Sequence, residues 1–163
     1  MFLTSPLSFA FVNLKPVVPG HVLVSSKRVV PRFTELTGEE VQDIWSLAQK
    51  VGSVIEEHFE ATSLTFAIQD GPAAGQTVPH VHIHILPRRV GDFENNDEIY
   101  DAIDTASSEF LTTATQSHHQ EETQHKGKKS AAGEPLDLDK ERHPRTPEEM
   151  AAEASVLRAK FSA

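Results

Sequence analysis

The sequence predicts a mixed α and β domain, in which short strands pack against one long helix. In LSFAFVN, residues 7–13, two phenylalanines stand two positions apart, and in HVHIHIL, residues 80–86, histidine alternates with valine and isoleucine, as on the two faces of a strand. Between these segments, residues 37–59 carry apolar residues at steps of three and four, which indicates an amphipathic helix. Together the patterns indicate a sheet with one face covered by a helix and the other open and polar.

The first strand leads into a hairpin. Phe9, Phe11 and Asn13 share one of its faces. The turn-rich segment LKPVVPG then connects to HVLVS, which begins at His21. Two prolines and a glycine between two β-rich runs predict a hairpin with a long loop.

The helix has a start signal and an apolar face. Thr37 and Glu40 form the T-x-x-E pattern of a capping box, which stabilises the first turn. We expect the apolar stripe of this helix to lie on the sheet. The stripe consists of Val41, Ile44, Trp45, Ala48, Val51, Ile55 and Phe59.

Two further strands bring the histidines next to an amide. Residues 62–69 alternate and place Gln69 opposite to an apolar face, and the loop DGPAAGQT follows. The histidine strand then runs from His80 to Leu86 and is ended by Pro87. If the two strands pair, their apolar faces join the core, and the other face carries three imidazoles and one amide.

The chain changes character at about residue 104. Residues 104–145 mix both charges and contain almost no large apolar side chain, so we expect disorder, because they bury too little surface to offset the entropy of ordering. A helix is expected again over residues 146–163, because T-P-E-E places a capping box at Thr146 and Glu149.

Composition excludes several classes of function. The chain of 163 residues has no cysteine, which excludes disulfides and thiolate metal sites, and we expect a cytoplasmic protein, with the nucleus as a further compartment. The net charge of −9 argues against non-specific binding of nucleic acid, which needs a basic surface. No apolar run approaches the length of a membrane span, so we expect no membrane partner.

Three interpretations of the histidine strand compete. One zinc ion held by all three imidazoles is disfavoured, because a rise of roughly 3.3 Å per residue puts His80 and His84 about 13 Å apart, whereas Zn–N bonds are about 2 Å. Chance surface histidines are disfavoured because three stand in register beside Gln69 and a Gly-rich loop. Nucleophilic catalysis remains, because an imidazole attacks phosphorus well and its pKa of about 6.5 leaves it mostly unprotonated at neutral pH.

The histidine strand also carries a family resemblance. HVHIHIL resembles the H-φ-H-φ-H-φ-φ signature of the histidine triad (HIT) superfamily. SFAFVNLKPVVPGHVLV, SLTFAIQDGPAAGQTVPHVHIHILPRRVGDFENNDEIY and PEEMAAEASVLRAKF are similar to its fragile histidine triad (Fhit) branch, the dinucleoside triphosphate hydrolases. The Hint-type branch has a W-P-P-G tail, whereas PRRVGDF follows the triad here, and the galactose-phosphate uridylyltransferases have glutamine in the place of His84.

The resemblance implies a fold and an assembly. The expected fold is α+β, an antiparallel sheet with one long helix and a C-terminal helix, in a dimer-forming chain. Residues 1–103 would be the core of the HIT domain, residues 104–145 a polar insert, and residues 146–163 the C-terminal helix of the domain.

The resemblance further implies hydrolysis of diadenosine triphosphate to AMP and ADP. His82 would be the nucleophile that becomes covalently nucleotidylated, the carbonyl of His80 would orient its ring, and His21 would support the triad. Magnesium or manganese would bind with the substrate phosphates, and no tightly held metal is expected. The residues implied to bind the substrate are Asn13, Gln69, Gly75, Gln76, Thr77, Val78 and His84. Phe11 shares a strand face with Asn13, so it is expected to line an adenine pocket, with core packing as the alternative.

Other functions in the same pocket remain open at this point. One is a nucleotide-binding signalling protein whose substrate-bound form is the signal. Another is a HIT hydrolase that prefers phosphoramidates or tetraphosphates. Tyr100 matches a tyrosine that is phosphorylated in the family, with packing at the start of a helix as the alternative.

The family pattern includes a strand upstream of Met1. We therefore expect residues 7–13 to have an unpaired edge and adenosine binding to be weakened. We also expect Met1 to be an internal start.

Overall fold

The chain forms a five-stranded antiparallel sheet with a long helix on one face, which confirms the predicted α+β fold. The computed structural model describes residues 1–116 and 144–162. The spatial order of the strands is β1-β2-β3-β5-β4. The strands are β1 (Leu3–Thr4), β2 (Ser8–Val12), β3 (Val22–Ser26), β4 (Ser63–Ala67) and β5 (His82–Arg88). The helices are α1 (Gly38–His58), α2 (Glu98–Gln116) and α3 (Pro147–Lys160), with short 3₁₀ turns at Phe33–Glu35 and Pro72–Ala74.

Alternation along the central strands gives the sheet two different faces. Ala10 of β2, Val24 of β3 and Ile83 of β5 lie side by side in the ladder and are fully buried in the core beneath α1. Their neighbours one position along the chain face the opposite way. The predicted hairpin of β2 and β3 and the predicted pairing of β4 with β5 are both confirmed.

Helix α1 begins as predicted but its buried stripe is shifted. The capping box of Thr37 and Glu40 is present in both directions. Trp45, which was expected in the stripe, is 39% exposed and instead lies near Phe66 of the edge strand β4, with ring centroids 6.3 Å apart. The buried apolar side chains of α1 are Ile44, Leu47, Ala48, Val51 and Ile55.

The histidine strand lies two residues further along than predicted. Strand β5 begins at His82 rather than His80, and it continues through Pro87 to Arg88. The proline is tolerated because β3 pairs with β5 only as far as Ile85, so the amide hydrogen that Pro87 lacks is not needed for that ladder.

The outer edge of β2 is partly paired, so the expectation of an unpaired edge is wrong for two residues. Leu3 and Thr4 of β1 lie opposite Ala10 and Phe9. The N–H of Phe2 also donates to the carbonyl of Ala10, at 3.0 Å.

Helix α2 corrects the start of the predicted polar insert. It continues to Gln116, so residues 104–116 are helical rather than disordered. Ile99 and Ile103 are buried with Leu86 in a second, smaller apolar cluster on the open face of the sheet. Residues 117–143 of the predicted insert lie outside the described residues. The end of the predicted insert is also corrected, because Arg145 is hydrogen-bonded to the carbonyls of Asn13 and Leu14.

Helix α3 completes the main core. Thr146 and Glu149 form the predicted capping box, and Pro147 is the first helical residue. Ala154 and Leu157 are buried in the same cluster as the side chains of α1. Among the described residues, no helix is long and apolar enough to span a membrane.

Candidate active site

The open face of the sheet carries a cavity of about 250 Å³. Strands β2, β3 and β5 form its floor, and residues of α2 and of the loop before β5 form its walls. Pockets for drug-sized ligands have volumes of about 300–1,000 Å³, so this cavity fits one part of a larger ligand. Its lining includes Phe9, Phe11, Asn13, His21, Leu23, Thr77, Val78, His80, His82 and His84.

The apolar part of the cavity is made by β2 and β3. The rings of Phe9 and Phe11 stack with centroids 5.4 Å apart, and Leu23 lies opposite Phe11 in the ladder. These side chains are only partly buried, so they are not ordinary core residues. A flat aromatic wall of this kind suits a nucleobase, because bases stack on aromatic rings.

The ring of His82 has one nitrogen, Nδ1, in a hydrogen bond, and a free lone pair on the other nitrogen, Nε2. Its Nδ1 lies 2.8 Å from the carbonyl oxygen of His80. A carbonyl only accepts, so Nδ1 carries the hydrogen and the neutral ring has its lone pair on Nε2. Burial lowers the pKa of His82 below its usual 6.5, which keeps the ring neutral at physiological pH, although the hydrogen bond to His80 opposes this shift.

His84 has the opposite tautomer, which a relay of hydrogen bonds sets. The backbone N–H of Val17 donates to Nδ1 of His21 at 3.1 Å, so the hydrogen of the neutral His21 ring is on Nε2. That Nε2 donates to Nδ1 of His84 at 2.9 Å, which leaves the hydrogen of His84 on its own Nε2.

The Nε2–H of His84 is a donor held ready for a ligand. The atom is buried and has no hydrogen-bond partner among the described residues. Burial, with a smaller contribution from His82, lowers the pKa of His84 to about 3, so the ring stays neutral. A buried donor without a partner is costly in a folded protein, and a phosphate oxygen next to His82 would satisfy it.

The ring of His80 is bonded to the end of β3 and not to the other two imidazoles. Its Nε2 donates to the carbonyl of Ser26 at 2.7 Å and is also near the hydroxyls of Ser25 and Ser26. The hydroxyl of Ser25 donates in turn to the carbonyl of Val81. These bonds fix the main chain at His80, and therefore the carbonyl that orients His82.

Asn13 connects the cavity to the histidines. Its Nδ2 lies 3.3 Å from both ring nitrogens of His21, and its Oδ1 accepts from the N–H of Lys15 at 3.2 Å. Its own carbonyl accepts from the guanidinium of Arg145, just before α3. The amide of Asn13 therefore lies in a fixed position at the rim of the apolar wall.

Gln69 is held by two residues of α2. Its Nε2 donates to Oδ1 of Asp104, and its Oε1 accepts from the hydroxyl of Ser107 at 3.0 Å. Because a carboxylate only accepts, this pair fixes which end of the amide faces which way. A Cβ added at Gly75 would lie 2.6 Å from Nε2 of Gln69, so the donor end of the amide lies directly against the loop that was predicted to bind phosphate.

Residues 1–91 match the HIT domain family. The chain belongs to this family. A bifunctional bis(5'-adenosyl)-triphosphatase/adenylylsulfatase of Arabidopsis thaliana is 54% identical over 161 residues, which are 99% of this chain and 77% of that protein. A bis(5'-adenosyl)-triphosphatase of Dictyostelium discoideum is 48% identical over 99% of this chain and 85% of its own length. An asymmetrical bis(5'-nucleosyl)-tetraphosphatase of Schizosaccharomyces pombe is 42% identical over 99% and 88%.

Solved structures of HIT proteins share the fold. The crystal structure of the NitFhit protein of C. elegans has a TM-score of 0.65 and 41% identity, over 98% of this chain and 26% of that one. The diadenosine triphosphate hydrolase of Plasmodium falciparum has a TM-score of 0.55 and 36% identity, over 68% and 76%.

The loop of the HIT domain that was predicted to contact phosphate only partly lines the cavity. Thr77 and Val78 lie on the cavity wall. The side chain of Gln76 instead braces the loop, because its Oε1 accepts from the N–H of Gly71 and its Nε2 donates to the carbonyl of Pro31. Gly75 has a φ of 84°, a left-handed conformation that favours glycine.

Several residues of the site were missed in the sequence. Ser25 and Ser26 hold His80, Asp104 and Ser107 hold Gln69, and Arg145 holds Asn13. The residues of α2 had a signal, since Ile99, Ala102, Ile103 and Ala106 follow helical spacing next to them. No sequence pattern indicated Arg145, because its contact with Asn13 joins positions 132 residues apart.

Two further expectations concern metal ions and Tyr100. Among residues 1–116 and 144–162, no group of three or more histidine, aspartate or glutamate side chains is arranged to hold a metal ion. Tyr100 is 51% exposed near the start of α2, so it is not packed into the apolar cluster beside it. Its phosphorylation stays a prediction.

Proposed function

We propose that this chain hydrolyses diadenosine triphosphate to AMP and ADP. The observation that carries the proposal is the Nδ1–H bond of His82 to the carbonyl of His80, which leaves an unprotonated Nε2 on the open face of the sheet. The names of the Arabidopsis and Dictyostelium relatives, which align over nearly the whole chain, support the same substrate.

The reaction would proceed in two displacements at the α-phosphorus. Nε2 of His82 forms a bond to the α-phosphorus, while the bond between the α-phosphorus and the bridging oxygen of the ADP group breaks. ADP leaves as a phosphate anion, and the nucleotidylated His82 keeps its Nδ1–H. Water then attacks the same phosphorus, the P–N bond breaks and returns the lone pair to Nε2, AMP takes the oxygen of the water, and a proton passes to the solvent. The Nε2–H of His84 would donate to a phosphate oxygen as negative charge develops.

Different residues of the proposed pocket would bind the base, the sugar and the phosphates of the substrate. Phe9 and Phe11 would stack on one adenine, and Asn13 would hydrogen-bond the ribose.

Phosphate oxygens would be bound by Thr77 and Val78, the residues of the loop that line the cavity, because the N–H groups of Gly75 and Gln76 already donate to the carbonyls of Pro72 and Gly71. The amide nitrogen of Gln69 would add its second hydrogen, since the first is donated to Asp104. Magnesium or manganese, bound through the phosphate oxygens, would neutralise part of the substrate charge.

We further propose that the chain works as a homodimer in the cytoplasm. Strand β4 is an outer strand of the sheet, and Trp45 and Phe66 are both partly exposed beside it. An edge strand with exposed aromatic side chains is favourable for pairing with a second copy. Sedimentation at micromolar concentration tests the dimer, and a monomer at all concentrations would refute it.

The test of function is a product analysis with purified protein and magnesium. Diadenosine triphosphate should give equal amounts of AMP and ADP, and diadenosine tetraphosphate and adenylyl sulfate should be offered in parallel because relatives bear those names. His58→Asn is the matched control, because this histidine of α1 does not line the cavity. Tight binding of the triphosphate without any products would refute hydrolysis and favour a nucleotide-binding signalling protein.

A further inference from the structure

Arg145 holds the main chain at the end of β2 from a position 132 residues later in the sequence. Its Nε donates to the carbonyl oxygen of Asn13 at 3.1 Å, and its Nη2 donates to the same oxygen. Its backbone N–H donates to the carbonyl of Leu14 at 3.0 Å. Two consecutive carbonyls of the segment that carries Asn13 therefore accept hydrogen bonds from one residue.

The guanidinium is itself held by α3. Nη1 of Arg145 forms an ion pair with Glu153, and the two side chains are only 20% and 18% exposed. Glu153 lies on the same helix as Ala154 and Leu157, which are buried in the main core. The planar fork of arginine can bind a carboxylate and a carbonyl together, which the single ammonium of lysine cannot do in the same geometry.

The contact matters because the sheet does not fix Asn13. The β2–β3 ladder ends at the pair of Val12 and Val22, one residue earlier. The side chain of Asn13 nevertheless needs a defined position, since its Nδ2 is placed beside the ring of His21. A small displacement of a binding group lowers catalytic efficiency strongly.

We propose that Arg145 is a positioning residue for recognition of the sugar: it fixes Asn13 so that its side-chain amide meets the hydroxyls of a ribose. This inference rests on the proposed function, because it takes a ribonucleotide as the ligand. It assigns a role in substrate recognition to the C-terminal segment, which lies after residues 1–91, the part of the chain that matches the HIT domain.

The test compares a ribose with a sugar that has no hydroxyls. Diadenosine triphosphate and its 2',3'-dideoxyadenosine analogue are offered to the wild type, to Arg145→Met and to the matched control Arg158→Met. Arg158 donates to the carbonyl of Met1 from α3 and is exposed. On the ribose substrate, Arg145→Met should raise KM up to about tenfold with kcat within about twofold, the size expected when the hydrogen bonding of the Asn13 amide to the ribose is lost.

The decisive result is whether the effect of Arg145→Met depends on the hydroxyls of the sugar. On the dideoxy substrate, Arg145→Met should lose less than about twofold in kcat/KM, because the contact that Arg145 supports is already missing. An equal loss on both substrates would overturn the proposal, since Arg145 would then act on the fold or on another part of the site. Arg158→Met should match the wild type on both.

Two conservative variants and a binding measurement keep the test decisive. Arg145→Lys should recover only part of the loss, and Glu153→Gln should show an intermediate loss, because the guanidinium then lacks its anchor. If the wild type does not hydrolyse the substrate, the proposed function fails, but binding of AMP and 2',3'-dideoxy-AMP by calorimetry still decides the role of Arg145. If the ratio of the Kd for 2',3'-dideoxy-AMP to the Kd for AMP were the same in the wild type and in Arg145→Met, the proposed role of Arg145 would be refuted.

Discussion

The two faces of the sheet use the same strands for different purposes. Along β5, Ile83 and Ile85 are fully buried beneath α1, whereas His82 and His84 alternate with them and line the cavity on the opposite face. On the helix face, side chains need only to be apolar and of the correct size. On the histidine face, each side chain depends on named donors and acceptors, so a change there should alter chemistry more than stability.

The same contrast appears between neighbours on the histidine face. His82 and His84 have ring centroids 4.9 Å apart, yet they have different hydrogen-bond partners. His82 is bonded to the main chain of His80, just before β5, and His84 is bonded to the side chain of His21, just before β3. The first arrangement exposes a lone pair and the second exposes an N–H. One residue type thus supplies both a nucleophile and a donor.

The largest effect is expected for the nucleophile. His82→Asn should lower kcat by about 10⁴-fold or more, because the covalent step is lost, while the substrate still binds and the midpoint of urea unfolding changes little. Steady-state kinetics, calorimetry with the substrate and urea titration measure these three quantities. Turnover near that of the wild type would remove His82 from the mechanism.

On the helix face, the effect should be reversed. Ile83→Ala should lower the free energy of unfolding by about 2–5 kcal/mol, because it leaves a cavity in the main core, and Ile83→Val should cost only about 0.5–1.5 kcal/mol. The folded fraction of both variants should keep kcat within about threefold of the wild type. If Ile83→Val reduced kcat as strongly as a change on the histidine face, the two faces would not be separable.

Acid should destabilise the fold through His84. Its pKa is about 3 when folded, below the value of 6.5 for an unperturbed histidine, so only the unfolded state takes up this proton as the pH falls below 6.5. Stability is therefore present above pH 6.5 and is lost progressively toward pH 3, by about 2 kcal/mol between pH 7 and pH 5 for this one group. Urea unfolding of wild type and His84→Asn at both pH values measures the difference, with His58→Asn as the control. If His84→Asn lost as much stability between pH 7 and pH 5 as the wild type, the acid sensitivity would come from other groups.

A smaller effect should follow from loosening Gln69. Asp104→Ala should lower kcat/KM about tenfold, because the donor end of the Gln69 amide is no longer oriented toward the phosphate loop. Asp104→Asn should retain most of the activity, since its Oδ1 still accepts the hydrogen bond. If Asp104→Asn were as impaired as Asp104→Ala, the negative charge and not the orientation would be the contribution of Asp104.

The sequence predicted features that depend on local spacing and missed those that depend on contacts between distant segments. The capping boxes at Thr37 and Thr146 are local and are present, and so is the alternation of core and cavity residues in β5 from His82 onward. The exposure of Trp45 could not be read from helical spacing, because it depends on where the edge strand lies. The relay from Val17 to His84 likewise depends on how the loop after β2 folds back.

The polar composition of residues 104–145 concealed a part of the site. Asp104 and Ser107 are polar because they hold Gln69, yet the same composition predicted disorder. A few helical apolar positions were enough to form α2 against the sheet, because Ile99 and Ile103 bury against Leu86. Polar side chains that belong to a functional site lower the apolar content of their segment, and a low apolar content predicts disorder.

The opposite tautomers of His82 and His84 can be observed by nitrogen-15 NMR of the imidazoles in the folded protein at pH 7. Two-bond couplings between ring protons and nitrogens distinguish a protonated from an unprotonated nitrogen, and His82→Asn and His84→Asn assign the signals. His82 should carry its hydrogen on Nδ1 and His84 on Nε2, both rings being neutral. A hydrogen on Nε2 of His82, or a shared tautomer for both residues, would mean that the hydrogen bonds of the sheet do not prepare the nucleophile and the donor.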